Sequence, residues 1–407
     1  MMKINYKTIS SFLIYIVSVG ALTISDFIVV GKFSSDGVSE WAFYKSVIFV
    51  FGGMCVLGFD QLLLREINYY KQFKRQFFIQ SILISFIISC FLFLYIKDAL
   101  KSLFCFFMLF FYANFMFEAG YWRGKKNLLL SQLNTNLWKI IILFLLGFFI
   151  YFREKYEVLY IYLYSLVLAF FCLYLINFKL KDRECLEKNI LTKEQRIKYF
   201  LIGLYFFIHS FSLVIANYGE QFIINIYGNK AISSVIFSYI TLYSSLVLAA
   251  IGFIGFYLGP KVRYYKDFNL KIYYKYQSII FLMGIILILI NSVMVYIFSP
   301  YFYKNIDFDL LLWTLILFLT LCRVLYVFPS LCLGVFGDEK SLKKSSFYSL
   351  IAVSGYIFLF MFLMKSNNQY MRYLIILLMI THWLCKIFVS NYYVYKCLVK
   401  RVPEYEG

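Results

Sequence analysis

Charged residues are scarce in this chain of 407 residues, and acidic ones are the scarcest. Asp and Glu number 21 and Lys and Arg number 40, so charged types make up only 15% of the sequence, whereas hydrophobic types make up 62%. A soluble domain needs far more charge than this on its surface. The composition therefore excludes an ordinary soluble protein and favours one that crosses a membrane many times.

Other features that the sequence lacks narrow the possible classes of function. No polar stretch between apolar runs is long enough to form a folded domain; the longest is 179–198. The nine cysteines fall mostly inside apolar runs, with spacings typical of neither a zinc site nor a disulfide framework. We therefore expect no catalytic residues, no metal site and no cofactor.

The formal net charge of +19 would indicate nucleic-acid binding in a soluble protein. Here the bases lie in short loops between apolar runs, so nucleic acid is not an expected partner. The basic N-terminus, MMKINYKTIS, precedes an apolar run that is too long for a signal-peptide core and lacks a small-x-small cleavage site. We predict that this run remains as the first membrane helix.

The apolar runs predict an all-α, polytopic membrane protein with twelve transmembrane helices. The predicted spans are 9–31, 42–64, 76–96, 102–120, 131–152, 157–178, 199–226, 231–258, 277–299, 309–335, 345–365 and 370–395. Residues 1–178 and 199–407 would then form two six-helix lobes around a central cavity, with 179–198 as a cytosolic linker.

Lys and Arg are distributed unevenly over the predicted loops. With the N-terminus inside, the inner segments carry 27 of these bases and the outer loops carry 9. Short loops rich in Lys and Arg stay in the cytosol. The sequence therefore predicts that both termini and the 179–198 linker are cytosolic.

The remaining four bases lie inside the predicted spans, where a charge costs roughly 2.5–3.5 kcal/mol on insertion scales. They are Lys45, Lys139, Arg323 and Lys386. We predict that they line an aqueous cavity and bind an anionic substrate. The alternatives are a structural ion pair for Lys45 and a snorkelling side chain for Lys139.

Two acids occupy matching places near the outer ends of the first and seventh spans. These acids, Asp26 and Glu220, are predicted ion-coupling residues. His209 precedes Glu220 by three helical turns, on the same face, and could pass the proton. The alternatives are an Asp26–Lys45 ion pair and a buried histidine held by ordinary polar contacts.

A family resemblance rests on residues 26–31 (DFIVVG), Trp41, residues 57–60 (LGFD), Arg65-Glu66 and residues 121–127 (YWRGKKN). In these residues the chain resembles the polysaccharide repeat-unit flippases, which export O-antigen and capsule units and belong to the multidrug/oligosaccharidyl-lipid/polysaccharide exporter superfamily. This resemblance implies a multi-pass protein of the bacterial inner membrane. That protein would move an undecaprenyl-pyrophosphate-linked oligosaccharide from the cytoplasmic to the periplasmic leaflet, with an H⁺ or Na⁺ gradient as the energy source. Its partners would be this lipid-linked sugar, membrane lipid, and a polymerase and chain-length regulator in the same membrane.

Three alternatives remain open. A multidrug exporter of the same superfamily would have the same architecture, although cationic drugs favour acids over bases in the spans. A polysaccharide polymerase or glycosyltransferase would need a large outer loop with clustered acids, which the sequence lacks. A major-facilitator symporter would carry a Gly-x-x-x-Asp motif between the second and third spans, where this chain reads INYYKQFKRQ.

Overall fold

The computed structural model describes residues 6–151, 157–181, 191–264, 268–302, 307–337, 339–366 and 370–399. These residues are almost entirely helical and contain no strand. Twelve helices of 22 residues or more correspond one for one to the predicted spans. The all-α membrane fold is therefore confirmed.

The helices follow one another with short connections. The long helices are α1 (Tyr6–Lys32), α2 (Ser35–Val56), α4 (Tyr70–Ile96), α5 (Ala99–Gly124), α6 (Leu128–Tyr151), α7 (Val158–Lys181), α8 (Lys193–Ile226), α9 (Lys230–Tyr264), α10 (Leu270–Ile297), α12 (Leu310–Phe336), α13 (Glu339–Lys365) and α14 (Met371–Val399). Two short helices, α3 (Phe59–Arg65) and α11 (Ser299–Phe302), and a single 3₁₀ turn (Ile67–Tyr69) complete the described elements.

Eleven of the long helices are long and apolar enough to cross a membrane. The exception among the described helices is α2, whose first half carries Asp36, Glu40 and Lys45. These charges lower the hydropathy of α2. It has 22 residues and lies in the sequence between α1 and α4, which are both long and apolar enough to cross a membrane. The protein is therefore a multi-pass membrane protein with at least eleven candidate spans.

The prediction of one continuous second span over 42–64 is wrong. Helix α2 starts earlier, at Ser35, and ends at Val56. Leu57 and Gly58 then take positive φ angles of 49° and 75°, which no α-helix can accommodate. A Cβ at Gly58 would overlap the backbone carbonyl oxygen of Gly203, so this position needs glycine for both its conformation and its space.

The chain divides into two compact units. Unit 1 comprises Met1–Val29 and Glu40–Phe222, and unit 2 comprises Val30–Ser39 and Ile223–Gly407. The division falls inside α1, α2 and α8, whereas the predicted lobes meet at the 179–198 linker. Residues 182–190 of that linker lie outside the described residues. The six-helix lobes stay a prediction.

Aromatic rings pack the core of unit 1. Phe77 stacks on Phe117 with centroids 4.3 Å apart, and Tyr70 lies 4.3 Å from Tyr121. The adjacent Trp122 donates its indole N–H to Asn177 at 2.7 Å, and Asn177 donates to Asn134 at 2.9 Å. Trp122 thus anchors the 121–127 segment to α7, and through Asn134 to α6.

Unit 2 is built around α9, α10, α12 and α14. Helix α12 contains Pro329, which has no N–H to offer the carbonyl oxygen of Leu325 one turn earlier. Gln277 of α10 donates its side-chain N–H to that oxygen at 2.9 Å. A side chain from a neighbouring helix therefore satisfies the backbone group that the proline leaves open.

Candidate functional site

A buried ion pair joins the first two helices within unit 1. Asp26 of α1 is 2% exposed, and one of its oxygens contacts the ammonium of Lys45 on α2. Its other oxygen accepts a hydrogen bond of 2.8 Å from the indole N–H of Trp41. Trp41 and Lys45 are four residues apart, so they project from one face of α2. Both oxygens of the carboxylate are therefore engaged.

A polar chain follows one face of α6 in the same unit. Lys139 donates to the side-chain oxygen of Asn136 at 2.7 Å, and Asn136 donates to that of Gln132 at 2.7 Å. The spacings of four and three residues between them in the sequence predict that they share one helical face, and these contacts confirm it. Lys139 is also close enough to Lys45 for their like charges to interact.

The balance of charge in this part of unit 1 is positive. The single carboxylate of Asp26 is shared between Lys45 and Trp41, and the direct partner of the Lys139 ammonium is a neutral amide. Among the described residues, no carboxylate lies within ion-pair distance of Lys139. A mobile anion would therefore find a favourable partner at Lys139.

Two cations and two aromatic rings interlock between α12 and α14 in unit 2. The Arg323 guanidinium lies 5.6 Å from the Trp383 ring centroid, and the Lys386 ammonium lies 5.6 Å from that of Tyr326. The two rings meet edge to face at 5.3 Å. Each helix thus contributes one cation and one ring, three residues apart. Cation–π attraction of this kind is worth about 2 kcal/mol when desolvated.

A histidine lies beside these pairs. His382 is 4% exposed, and its ring centroid is 4.7 Å from that of Tyr356 on α13. His382 and Lys386 are four residues apart on α14, and the charge of Lys386 acts on the imidazole. The structure therefore brings together two of the predicted substrate-binding bases, Arg323 and Lys386, with a titratable ring beside them.

The remaining predicted coupling residues lie on α8. Glu220 is 1% exposed and belongs to unit 1. His209 lies in the same continuous helix, eleven residues earlier, but its side chain is outside the described residues. The predicted coupling roles of Asp26, Glu220 and His209 stay predictions.

Sequence reasoning found the buried charges but assigned no role to the aromatic residues that hold them. Trp41, Tyr326 and Trp383 contact Asp26, Lys386 and Arg323 respectively. One pattern in the sequence could have pointed to these aromatic residues. Each of these rings lies three or four residues from a span-embedded base in the sequence, which is the spacing of one helical face. In a chain that is 22% aromatic, this signal is weak.

Comparison with known proteins relates the fold to a group of transporters. No protein-family model and no curated protein matches the sequence. Among solved structures, an outward-facing multidrug resistance MATE family transporter of the MOP superfamily matches with a TM-score of 0.58 and 16% identity over 96% of this chain and 95% of that chain. An inward-facing structure of a transporter of the same family matches at 0.56 with 14% identity, over 97% and 99%.

A third match is a MOP superfamily transporter from Pyrococcus furiosus, described as having a binding pocket of reverse polarity that suggests a different function. Its TM-score is 0.50, with 14% identity over 95% of each chain. Identities this low show the fold alone. The chain is therefore similar to MATE family transporters of the MOP superfamily over nearly its whole length and has their transporter fold.

Proposed function

We propose that this protein is a membrane exporter that works by alternating access. The observation that supports export is the similarity in fold to MOP superfamily transporters over at least 95% of both chains. Charged side chains buried within membrane-spanning helices of each unit agree with transport of a polar substrate.

For the substrate, we propose an anionic amphiphile, namely an oligosaccharide linked to undecaprenyl pyrophosphate and moved from the cytoplasmic to the periplasmic leaflet. The surroundings of Lys139 support this choice of substrate. It is a base on a membrane-spanning helix whose direct partner is a neutral amide. A pyrophosphate offers the charge-assisted hydrogen bonds that such an ammonium lacks.

A second candidate is a small-molecule exporter. The solved structures favour it, because those with the highest similarity reported above are multidrug resistance transporters. The bases within the spans weigh against cationic drugs as the substrate, since a cation would have to approach Lys139 against its charge. The two candidates therefore differ in the sign of charge that the protein prefers to move.

Transport by the purified protein in vesicles separates these candidates. We expect flipping of a fluorescent lipid-linked diphosphate sugar by the wild type. Lys139→Gln and Arg323→Ala should each reduce it roughly tenfold or more, because each removes a charge-assisted contact of about 1.5–3 kcal/mol. Lys139→Arg and Arg323→Lys, which keep the charge, should retain part of the activity.

The matched control is Lys101→Gln, since Lys101 pairs with Glu157 at a partly exposed helix end. Unchanged flipping in both Lys139→Gln and Arg323→Ala would overturn the anion-binding assignment. Export of a cationic dye without any sugar flipping would establish the second candidate instead.

For energy coupling, we propose Glu220 as the ion-binding residue. The alternative carboxylate, Asp26, has both oxygens engaged by Lys45 and Trp41, and Glu220 is buried on another helix. Glu220→Gln should slow transport in vesicles and remove its response to an imposed pH or Na⁺ gradient while substrate still binds. If Glu220→Gln and Asp26→Asn both keep the wild-type rate and gradient response, the coupling site lies elsewhere.

A further inference from the structure

The exposed face of α13 changes its chemical character along the helix. At the start of α13, the exposed side chains include Lys340, Lys343 and Lys344. Phe347 and Tyr348 follow, and they are 58% and 50% exposed. These five residues recur at spacings of three and four, so they lie on one face of the helix. This face, the α13 stripe, therefore passes from basic to aromatic within about two turns.

Farther along α13, the large exposed side chains are apolar. They are Ile351, Phe358, Leu359, Met361 and Phe362. Helix α13 is long and apolar enough to cross a membrane. In membrane helices, apolar side chains lie in the hydrocarbon, aromatic rings at the interface, and lysine ammonium groups at the level of the headgroups. The order of side chains along α13 therefore places the three lysines among the lipid headgroups and the apolar residues beside the acyl chains.

The last turns of α14 lie beside the start of α13. The Tyr348 ring stacks on that of Tyr393 at 6.4 Å, and Tyr393 meets Tyr392 edge to face at 5.2 Å. Tyr392 is 45% exposed, and the Lys396 ammonium lies 4.6 Å from its ring centroid. Lys396 is also close enough to Tyr348 for the two groups to interact electrostatically. Lys396 thus lies at the same end of unit 2 as the lysines of α13.

This end of unit 2 has an excess of positive charge. Residues 338–348 and 392–401 together contain six bases and two acids. The side chains of the two acids, Asp338 and Glu339, lie outside the described residues, whereas those of Lys344 and Lys396 are described and exposed. Lysines clustered at the end of a membrane helix attract lipids with anionic headgroups.

We propose that an anionic phospholipid binds at this end of unit 2, with its headgroup on the lysines of the α13 stripe, Lys396 and Tyr348. Tyr348 lies one turn after Lys344 and close to Lys396, so its hydroxyl lies between the two bases that contact the phosphate. The acyl chains lie along the apolar part of the α13 stripe. A soluble anion would use only the basic part of this surface, whereas a phospholipid uses both. The proposal does not depend on which substrate the protein transports.

A tryptophan introduced on the α13 stripe tests this assignment. Phe347→Trp places a fluorophore at an exposed position three residues from Lys344. Its signal is the difference between this variant and the wild type, both full-length and in vesicles. At low mole fraction, we expect phosphatidylglycerol with brominated chains to quench this signal more effectively than phosphatidylcholine with the same chains. The expected preference is roughly tenfold, since each lysine near a membrane surface contributes a factor of about five.

Three further substitutions, each added to Phe347→Trp, make the result decisive. Lys344→Gln and Lys396→Gln should each reduce the preference for phosphatidylglycerol about fivefold. Lys365→Gln is the matched control, because Lys365 is an exposed lysine at the opposite end of the same helix, and it should leave the preference unchanged. All three positions are exposed, so the variants should fold.

Equal quenching by the two lipids in the Phe347→Trp protein would overturn the proposal. A preference that survives the combined Lys344→Gln and Lys396→Gln substitutions would overturn the assignment to these bases. An equal loss of preference in Lys365→Gln would show an effect of net charge alone, and it would overturn the site as well.

Discussion

At the scale of single residues, each of the four bases within the predicted spans has a neighbour that offsets part of the cost of leaving water. Lys45 is neutralised by Asp26, Arg323 and Lys386 lie over aromatic rings, and Lys139 is bonded to an amide. The size of this compensation differs among the four bases, because a full counter-charge offsets more of the desolvation cost than an aromatic ring or an amide does. Lys139, whose direct partner is a neutral amide, is therefore the base from which we expect the strongest response to an anion.

The Asp26–Lys45 pair gives a prediction about stability. Asp26→Asn leaves a buried ammonium without its carboxylate, and we expect a loss of about 3–5 kcal/mol in the free energy of unfolding. The double variant Asp26→Asn/Lys45→Met removes both charges and should recover most of that loss. Thermal unfolding in detergent measures both effects. Equal unfolding temperatures for the wild type and Asp26→Asn would show that this ion pair contributes nothing to stability.

At the scale of elements, sequence reasoning predicted the long helices well and their interruptions poorly. Apolar runs located all twelve long helices, because burial of apolar residues in lipid decides where they form. The end of α2 at Val56 was missed, because apolar residues recur beyond it up to Leu64, interrupted only by Asp60 and Gln61. The helix ends where Leu57 and Gly58 take positive φ angles, and there the backbone of Gly203, 145 positions away in sequence, approaches Gly58. No local pattern reveals this long-range contact.

In the candidate site, too, sequence reasoning predicted features within one helix but not the contacts between helices. Spacing predicted that Gln132, Asn136 and Lys139 share a face of α6, because these residues belong to one helix. The cation–π pairs of Arg323 with Trp383 and of Lys386 with Tyr326 join two helices. Their register depends on how α12 packs against α14, and a single sequence does not encode that register in any readable spacing.

The contact between α10 and α12 gives a prediction at this scale. Gln277→Leu removes the donor to the Leu325 carbonyl oxygen, and we expect a loss of about 1–3 kcal/mol in stability, because that oxygen becomes an unsatisfied buried group. Adding Pro329→Ala supplies an N–H within α12 itself and should restore part of the loss. Denaturation of the purified single and double variants measures the difference. Full additivity of the two substitutions would contradict the proposed link.

At the scale of the whole molecule, the strongest prediction concerns topology. The division of 27 inner and 9 outer bases predicts cytosolic termini with twelve spans. Reporter fusions at Lys188 and after Lys400 should report the cytosol, and one at Lys304 the periplasm. These positions lie outside the described residues. A periplasmic signal from Lys188 would refute both the orientation and the predicted division into two six-helix lobes.

The hydrogen bond from Gln277 to Leu325 also has a consequence for how the protein is made. Helix α12 enters the bilayer during synthesis with an open backbone carbonyl and a central Arg323, and an unsatisfied group in lipid costs several kcal/mol. Helix α10 is synthesised first and carries the donor that the carbonyl needs. We therefore expect α12 to leave the insertion machinery together with α10, so that a chain truncated after Phe336 integrates α12 efficiently only when Gln277 is present.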